Sequence, residues 1–86
     1  MTSTKVCIAV VDRTGLPVPD ADVSVVDSSI PFPEIALLSD DNGVVQVFLP
    51  AGHYTFRAHG PGGVEGTTRV ISDGSSMAAG AEIVVI

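Results

Sequence analysis

GVVQVFLPAGHYTFRA, residues 43–58, alternates apolar side chains with other residues on both sides of a Pro-Ala-Gly triplet. Val45, Val47 and Leu49 fall on one face of an extended chain; Tyr54, Phe56 and Ala58 fall on one face of the next. A period of two is the pleat of a half-buried strand. Two such runs joined by a short Pro/Gly link predict an antiparallel hairpin with one buried face. The second run carries His53, Thr55, Arg57 and His59 at the intervening positions, which makes a polar strand face.

The same pattern recurs on either side of this stretch. Lys5–Val11 reads as a strand with Val6, Ile8 and Val10 on one face and Cys7, Ala9 and Val11 on the other, so both faces should be covered. Asp12–Pro19 is a turn and a short link, with Asp12 and Gly15 spaced for a type I turn. Ala21–Val26 is a strand with Ala21, Val23 and Val25 inward, and Asp27–Pro33 a loop in which Pro31 and Pro33 exclude a ladder. Glu34–Ser39 reads as a short edge strand, and Asp40, Asp41, Asn42 and Gly43 as a tight turn with Asn-Gly free to take positive φ. His59–Gly63 is a flexible link, Val64–Ile71 a strand, and Ser72–Ser76 a polar turn. Met77–Ala81 fits one helical turn, and Glu82–Ile86 a last strand. Seven short strands separated by turn signals predict an all-β fold, a seven-stranded antiparallel β-sandwich formed as one domain over residues 1–86. Its inner face would consist of Val6, Ile8, Val10, Val18, Ala21, Val23, Val25, Val45, Val47, Leu49, Tyr54, Phe56 and Ala58.

Composition narrows the function classes. The net charge is −6, from ten acidic and four basic residues. Such a surface repels phosphate backbones and anionic lipid, which argues against nucleic-acid binding and membrane docking. The one cysteine, Cys7, has no internal disulfide partner, and its place in an apolar run predicts a small buried hydrophobe. The apolar run near the N-terminus is broken by Asp12 and Arg13, too short for a leader or a membrane span. The expected location is therefore the cytoplasm, with leaderless export inside an assembly as the alternative.

The order VVDRTGLPVPDADVSV, a variable loop, then DDNGVVQVFLPAGHYTFRA and a glycine-rich stretch resembles the carboxypeptidase regulatory-like domains of the transthyretin-like (prealbumin-like) superfamily. The residues that carry the resemblance are Val10, Asp12, Gly15, Pro17, Val18, Ala21, Val23, Asp40, Gly43, Leu49, Gly52 and Tyr54, and it covers roughly residues 6–71. It implies a transthyretin-like Greek key. It says little about activity, because such domains are attached to many unrelated proteins.

Four constellations bear on chemistry. His53, Arg57 and His59 match in residue type the His, Arg, His set of the hydroxyisourate hydrolases, a transthyretin-related family. That family ends in Tyr-Arg-Gly-Ser, whereas this chain has AEIVVI at residues 81–86, which leaves the set incomplete. Six residues of strand separate His53 from His59 by about 20 Å, too far for one zinc ion. Asp40, Asp41 and Asn42 offer three oxygen ligands where a calcium loop needs about 6–8, so turn chemistry is the better reading. HGPGGVEG, residues 59–66, has no Lys-Ser/Thr and no helix after it, so it is not a phosphate loop.

No catalytic residue, cofactor site or metal site is therefore expected. Val11, Val44 and Phe48 remain as apolar residues on outward strand faces and form the candidate interaction patch. The expected role is a non-enzymatic interaction or structural module with a protein partner or a second copy, such as an accessory subunit of a larger bacterial assembly. A small hydrolase and a carbohydrate- or ligand-binding module are the alternatives. The absence of Trp and the few aromatic rings weaken the second, and with it a small-molecule ligand.

Overall fold

The computed structural model describes residues 3–33 and 35–86. The strands are β1 (Thr4–Asp12), β2 (Asp22–Ser28), β3 (Ala36–Leu38), β4 (Val44–Leu49), β5 (Gly52–His59), β6 (Glu65–Ser72) and β7 (Ala79–Val85), with one 3₁₀ turn over Pro61–Gly63. They form a three-stranded sheet, β4-β1-β7, and a four-stranded sheet, β3-β2-β5-β6. The fold of the described residues is thus all-β, two sheets closed over one apolar interior. Glu34, the expected start of the third strand, lies outside the described residues; the strand that follows it does take an edge.

The alternation rule locates the interior well. Val6, Ile8, Val10, Ala21, Val23, Val45, Val47, Leu49, Tyr54, Phe56 and Ala58 are all buried. Val18 and Val25 sit at its margin instead, and Val70, Ile83 and Val85 complete it from β6 and β7. Val25 is displaced because β2 continues to Ser28 through a bulge between Val25 and Asp27, which ends its strict alternation. The segment Asp27–Ser28 is therefore strand, not loop. Phe32 reaches back from the loop that follows and meets the Tyr54 ring edge-on, with centroids 5.3 Å apart.

The hairpin expected over Gly43–Ala58 does not form. β4 pairs with β1, while β5 pairs with β2 and β6, so the Pro50–Ala51 link carries the chain from one sheet to the other. In a hairpin both apolar rows would cover one side of one sheet. Here they face each other across the interior, and each buries the other. Two hydrogen bonds hold this crossing: the Tyr54 hydroxyl donates to the Pro50 carbonyl at 2.7 Å, and Ser72 Oγ donates to the Leu49 carbonyl at 2.8 Å. Gly52 takes no positive φ, contrary to the turn role expected of it. A Cβ there would come within 3.1 Å of Ser29 Oγ, so its reason is close approach.

The sandwich is also not antiparallel throughout. β1 pairs with β7 in parallel, from Val6 beside Ala79 to Asp12 beside Val85. A strand that enters β1's sheet after crossing from the other sheet is free to run either way. β7 begins at Ala79, where one helical turn was expected. Its far end closes one side of the sandwich against β6: the amides of Glu65 and Ile86 each bond the other's carbonyl, at 3.3 and 3.1 Å. Gly66 makes that approach feasible, since a Cβ on it would lie 2.0 Å from the Val84 carbonyl oxygen.

Two matching turns flank the three-stranded sheet. In each, an Asp-x-x-Gly segment closes on itself: Gly15 N–H donates to the Asp12 carbonyl and Gly43 N–H to the Asp40 carbonyl, both at 2.9 Å. The glycines take φ of +88° and +75°, the left-handed region that other residues avoid. Asn42 stays at ordinary φ, so only the glycine of Asn42-Gly43 uses that freedom.

Candidate functional site

The outer face of the three-stranded sheet holds the apolar candidates. Across it, Phe48 lies opposite Lys5, Gln46 opposite Cys7, and Val44 opposite Ala9, while Val11 lies beside Val84 on β7. Val11 and Val44 are half-buried and adjoin through Ala9; Phe48 is 63 % exposed. Four strand residues separate Phe48 from Val44, about 13 Å. Val11, Val44 and Phe48 therefore share a face, with Phe48 at one end and Val11 towards the other. Glu82 and Gln46 interrupt the apolar surface between them. Cys7 belongs to this outer face and is half-buried, not a core residue. The alternation that put Val6 and Ile8 inside required this.

The outer face of the four-stranded sheet collects the polar candidates. His53, Thr55, Arg57 and His59 lie in one row on β5, as their spacing predicts, and each meets residues from the strands beside it. His59 stands between Asp22 and Glu65, and its Nε2 is 2.9 Å from Glu65 Oε2. Arg57 stands between Ser24 and Thr67, Thr55 between Asp27 and Arg69, and His53 beside Ile71. The His53 amide donates to Ser29 Oγ at 2.8 Å. His53, Arg57 and His59 are all exposed and are strung along the strand, not gathered around a point. Among the described residues no group of three or more His, Cys, Asp or Glu is placed to hold a metal ion.

Sequence reasoning missed what surrounds this row. Asp27, Glu65 and Arg69 place charges on the neighbouring strands, of which Glu65 pairs with His59, and the alternation of Glu65, Thr67 and Arg69 was a readable signal for two of them. The β2 bulge opens a groove on the same face lined by Ser24, Val25, Val26, Ile35, Ala36 and Arg57. Its lining mixes aliphatic side chains with one guanidinium and contains no nucleophile–base pair.

The acidic turns are occupied by their own backbone. Asp12 Oδ1 accepts from the Thr14 hydroxyl at 2.6 Å, the Thr14 amide at 2.8 Å and the Leu16 amide at 3.1 Å. These bonds, the Thr14 hydroxyl first, hold its carboxyl below the usual range. Asp40 Oδ1 likewise accepts from the amides of Asn42 and Val44, at 2.9 and 3.0 Å. Asp73 is also lowered, chiefly by the Ser75 amide. Burial pushes the Tyr54 phenol up.

Neither a family model nor a curated protein sequence matches the chain. Among the described residues no helix is long and apolar enough to cross a membrane.

Proposed function

We propose that this chain is a non-enzymatic interaction or structural module, a seven-stranded transthyretin-like Greek key of the carboxypeptidase regulatory-like kind. In this reading it serves as an accessory subunit that docks onto a larger protein through the outer face of its three-stranded sheet. The observation that carries the reading is a 63 % exposed Phe48 on a sheet face that also presents Val11, Val44, Ala9, Cys7 and Val84, with Lys5, Gln46 and Glu82 set among them. A large aromatic at the margin of an aliphatic strip suits a protein contact, because removing its ring from water gives affinity while the acidic rim keeps the free chain dispersed. The polar row on the opposite face supports the same assignment. Its ionisable groups are exposed and spread along one strand, and among the described residues only His59 is paired, with Glu65, an arrangement suited to solvation more than to proton transfer at one atom.

The test is retention of a partner from native extract on the immobilised chain, compared with Phe48→Asp. Loss of that partner on substitution, with far-UV circular dichroism unchanged, supports the reading; equal retention overturns it. Turnover of a hydroxyisourate substrate that is lost in His53→Ala would overturn it in favour of the hydrolase alternative.

A further inference from the structure

The four sheet edges are not equally protected. β3 is three residues long and follows Pro31 and Pro33. β6 carries Glu65 and Arg69 and is engaged by β7 at one end, and β7 is engaged by β6 in return. These are the usual devices that stop a strand from pairing with another chain. β4, Val-Val-Gln-Val-Phe-Leu, has none of them: no charge, no proline and, among the described residues, no strand on its far side.

The hydrogen-bond phase shows which groups are open. The Val10 amide donates to the Gly43 carbonyl, so residues 43, 45, 47 and 49 direct their backbone groups at β1. Val44, Gln46 and Phe48 direct theirs away from it. Val44 is already used, since its carbonyl accepts from the Asp40 amide and its amide donates to Asp40 Oδ1, both at 3.0 Å. Past Phe48 the edge ends at Pro50, which has no amide hydrogen and whose carbonyl accepts from Tyr54. Four groups remain, the N–H and C=O of Gln46 and of Phe48, capped at both ends by structure.

We propose that this edge pairs with the same edge of a second copy, antiparallel about a two-fold axis through Val47. In that register Gln46 of each copy faces Phe48 of the other, and all four open groups on each side are satisfied, giving four intermolecular hydrogen bonds. The neighbouring registers require Val44 or Pro50, whose groups are already spent. The strand is thus complementary to itself in hydrogen bonding. It is also complementary in charge, because two chains of net −6 meet along a stretch without charged side chains. Asp40 and Asp41 lie beyond the Val44 turn, where the partner strand has already ended. The result is one continuous six-stranded sheet across two molecules. The contact is short, so the association is a weak one that depends on concentration. It goes beyond the docking reading, which uses side chains on the sheet face and not the strand's edge.

The experiment is sedimentation velocity over micromolar to millimolar chain concentrations, with amide exchange read residue by residue by NMR. Expected is a monomer–dimer equilibrium in which the Gln46 and Phe48 amides become protected as concentration rises, while the Val44 amide, bonded within the turn, does not change. Gln46→Pro removes an outward amide that no intramolecular bond uses, and should give a monomer throughout. A monomer at every concentration overturns the proposal. So does self-association that leaves those two amides unprotected, or that persists in Gln46→Pro with wild-type circular dichroism. The wild-type exchange data decide the matter even if the proline variant fails to fold. Phe48→Asp keeps the Phe48 backbone groups, so loss of partner docking in that variant and loss of edge pairing in Gln46→Pro are separate outcomes.

Discussion

Gly66→Ala should be a costly single-methyl change in this protein. The added Cβ would sit 2.0 Å from the Val84 carbonyl oxygen, 2.9 Å from its carbon and 3.2 Å from Ile83 Cγ2. Two of these are backbone atoms, which cannot rotate away. Restoring ordinary contact near 3.5 Å requires β6 and β7 to separate by about 1.5 Å. That separation strains both Glu65–Ile86 hydrogen bonds, which are already long at 3.1 and 3.3 Å. Losing them costs about 0.5–1.5 kcal/mol each, and forcing a side chain into a packed contact adds about 1–3 kcal/mol. A loss of about 2–6 kcal/mol is expected. A chain of this length has on the order of 4–13 kcal/mol in total, and at roughly 4–8 °C per kcal/mol for this size the loss lowers Tm by at least about 8 °C. Urea unfolding followed by far-UV circular dichroism measures it directly. Gly80→Ala is the matched control: it adds the same methyl to β7, where the nearest atom, the Cys7 carbonyl oxygen, is 3.9 Å away. It should be neutral or stabilising by up to about 1 kcal/mol. A Gly66→Ala variant within about 0.5 kcal/mol of wild type would refute the β6–β7 closure.

Tyr54→Phe keeps the buried ring and removes the bond to Pro50, so a loss of about 1 kcal/mol is expected in the same unfolding assay; no loss would mean that the sheet-to-sheet crossing does not need it. Asp12 and Asp73 have folded-state pKa values below their unfolded ones, so their contribution is present above the unfolded value near 3.8 and is lost as pH falls through the lowered folded value. Asp12→Asn and Asp73→Asn should therefore flatten the acid limb of a stability–pH profile and leave neutral pH little changed in slope, and a profile as steep as wild type below pH 4 would contradict the turn geometry.

Much of the architecture was legible because burial leaves a period-two trace in the chain. Val45, Val47, Leu49, Tyr54, Phe56 and Ala58 are inside as their spacing demanded. What alternation cannot carry is the identity of the neighbour. A strand with one buried face reads the same whether its successor lies beside it or across the core from it, and for that reason the Gly43–Ala58 hairpin was misread. The parallel match of β1 with β7 was invisible for a related reason, since no local feature of Val6–Asp12 names a partner from the far part of the chain. The bulge after Val25 broke the pattern at the point where the sequence, Val25-Val26-Asp27, offered two equally apolar choices. Of the candidate sites, the His53–His59 row was legible from one strand alone, whereas its partners Asp22, Asp27, Glu65 and Arg69 needed the register.

The crossing between β4 and β5 also governs how the chain assembles. A hairpin could zip up early from its own turn, but here neither strand can use the other's backbone. β1 must wait for β4, and then for β7, before its sheet exists, so loop-closure entropy falls on the first productive contacts. Until both have joined it, β1 keeps an open edge, and the refolding rate belongs with the slower, non-local β topologies.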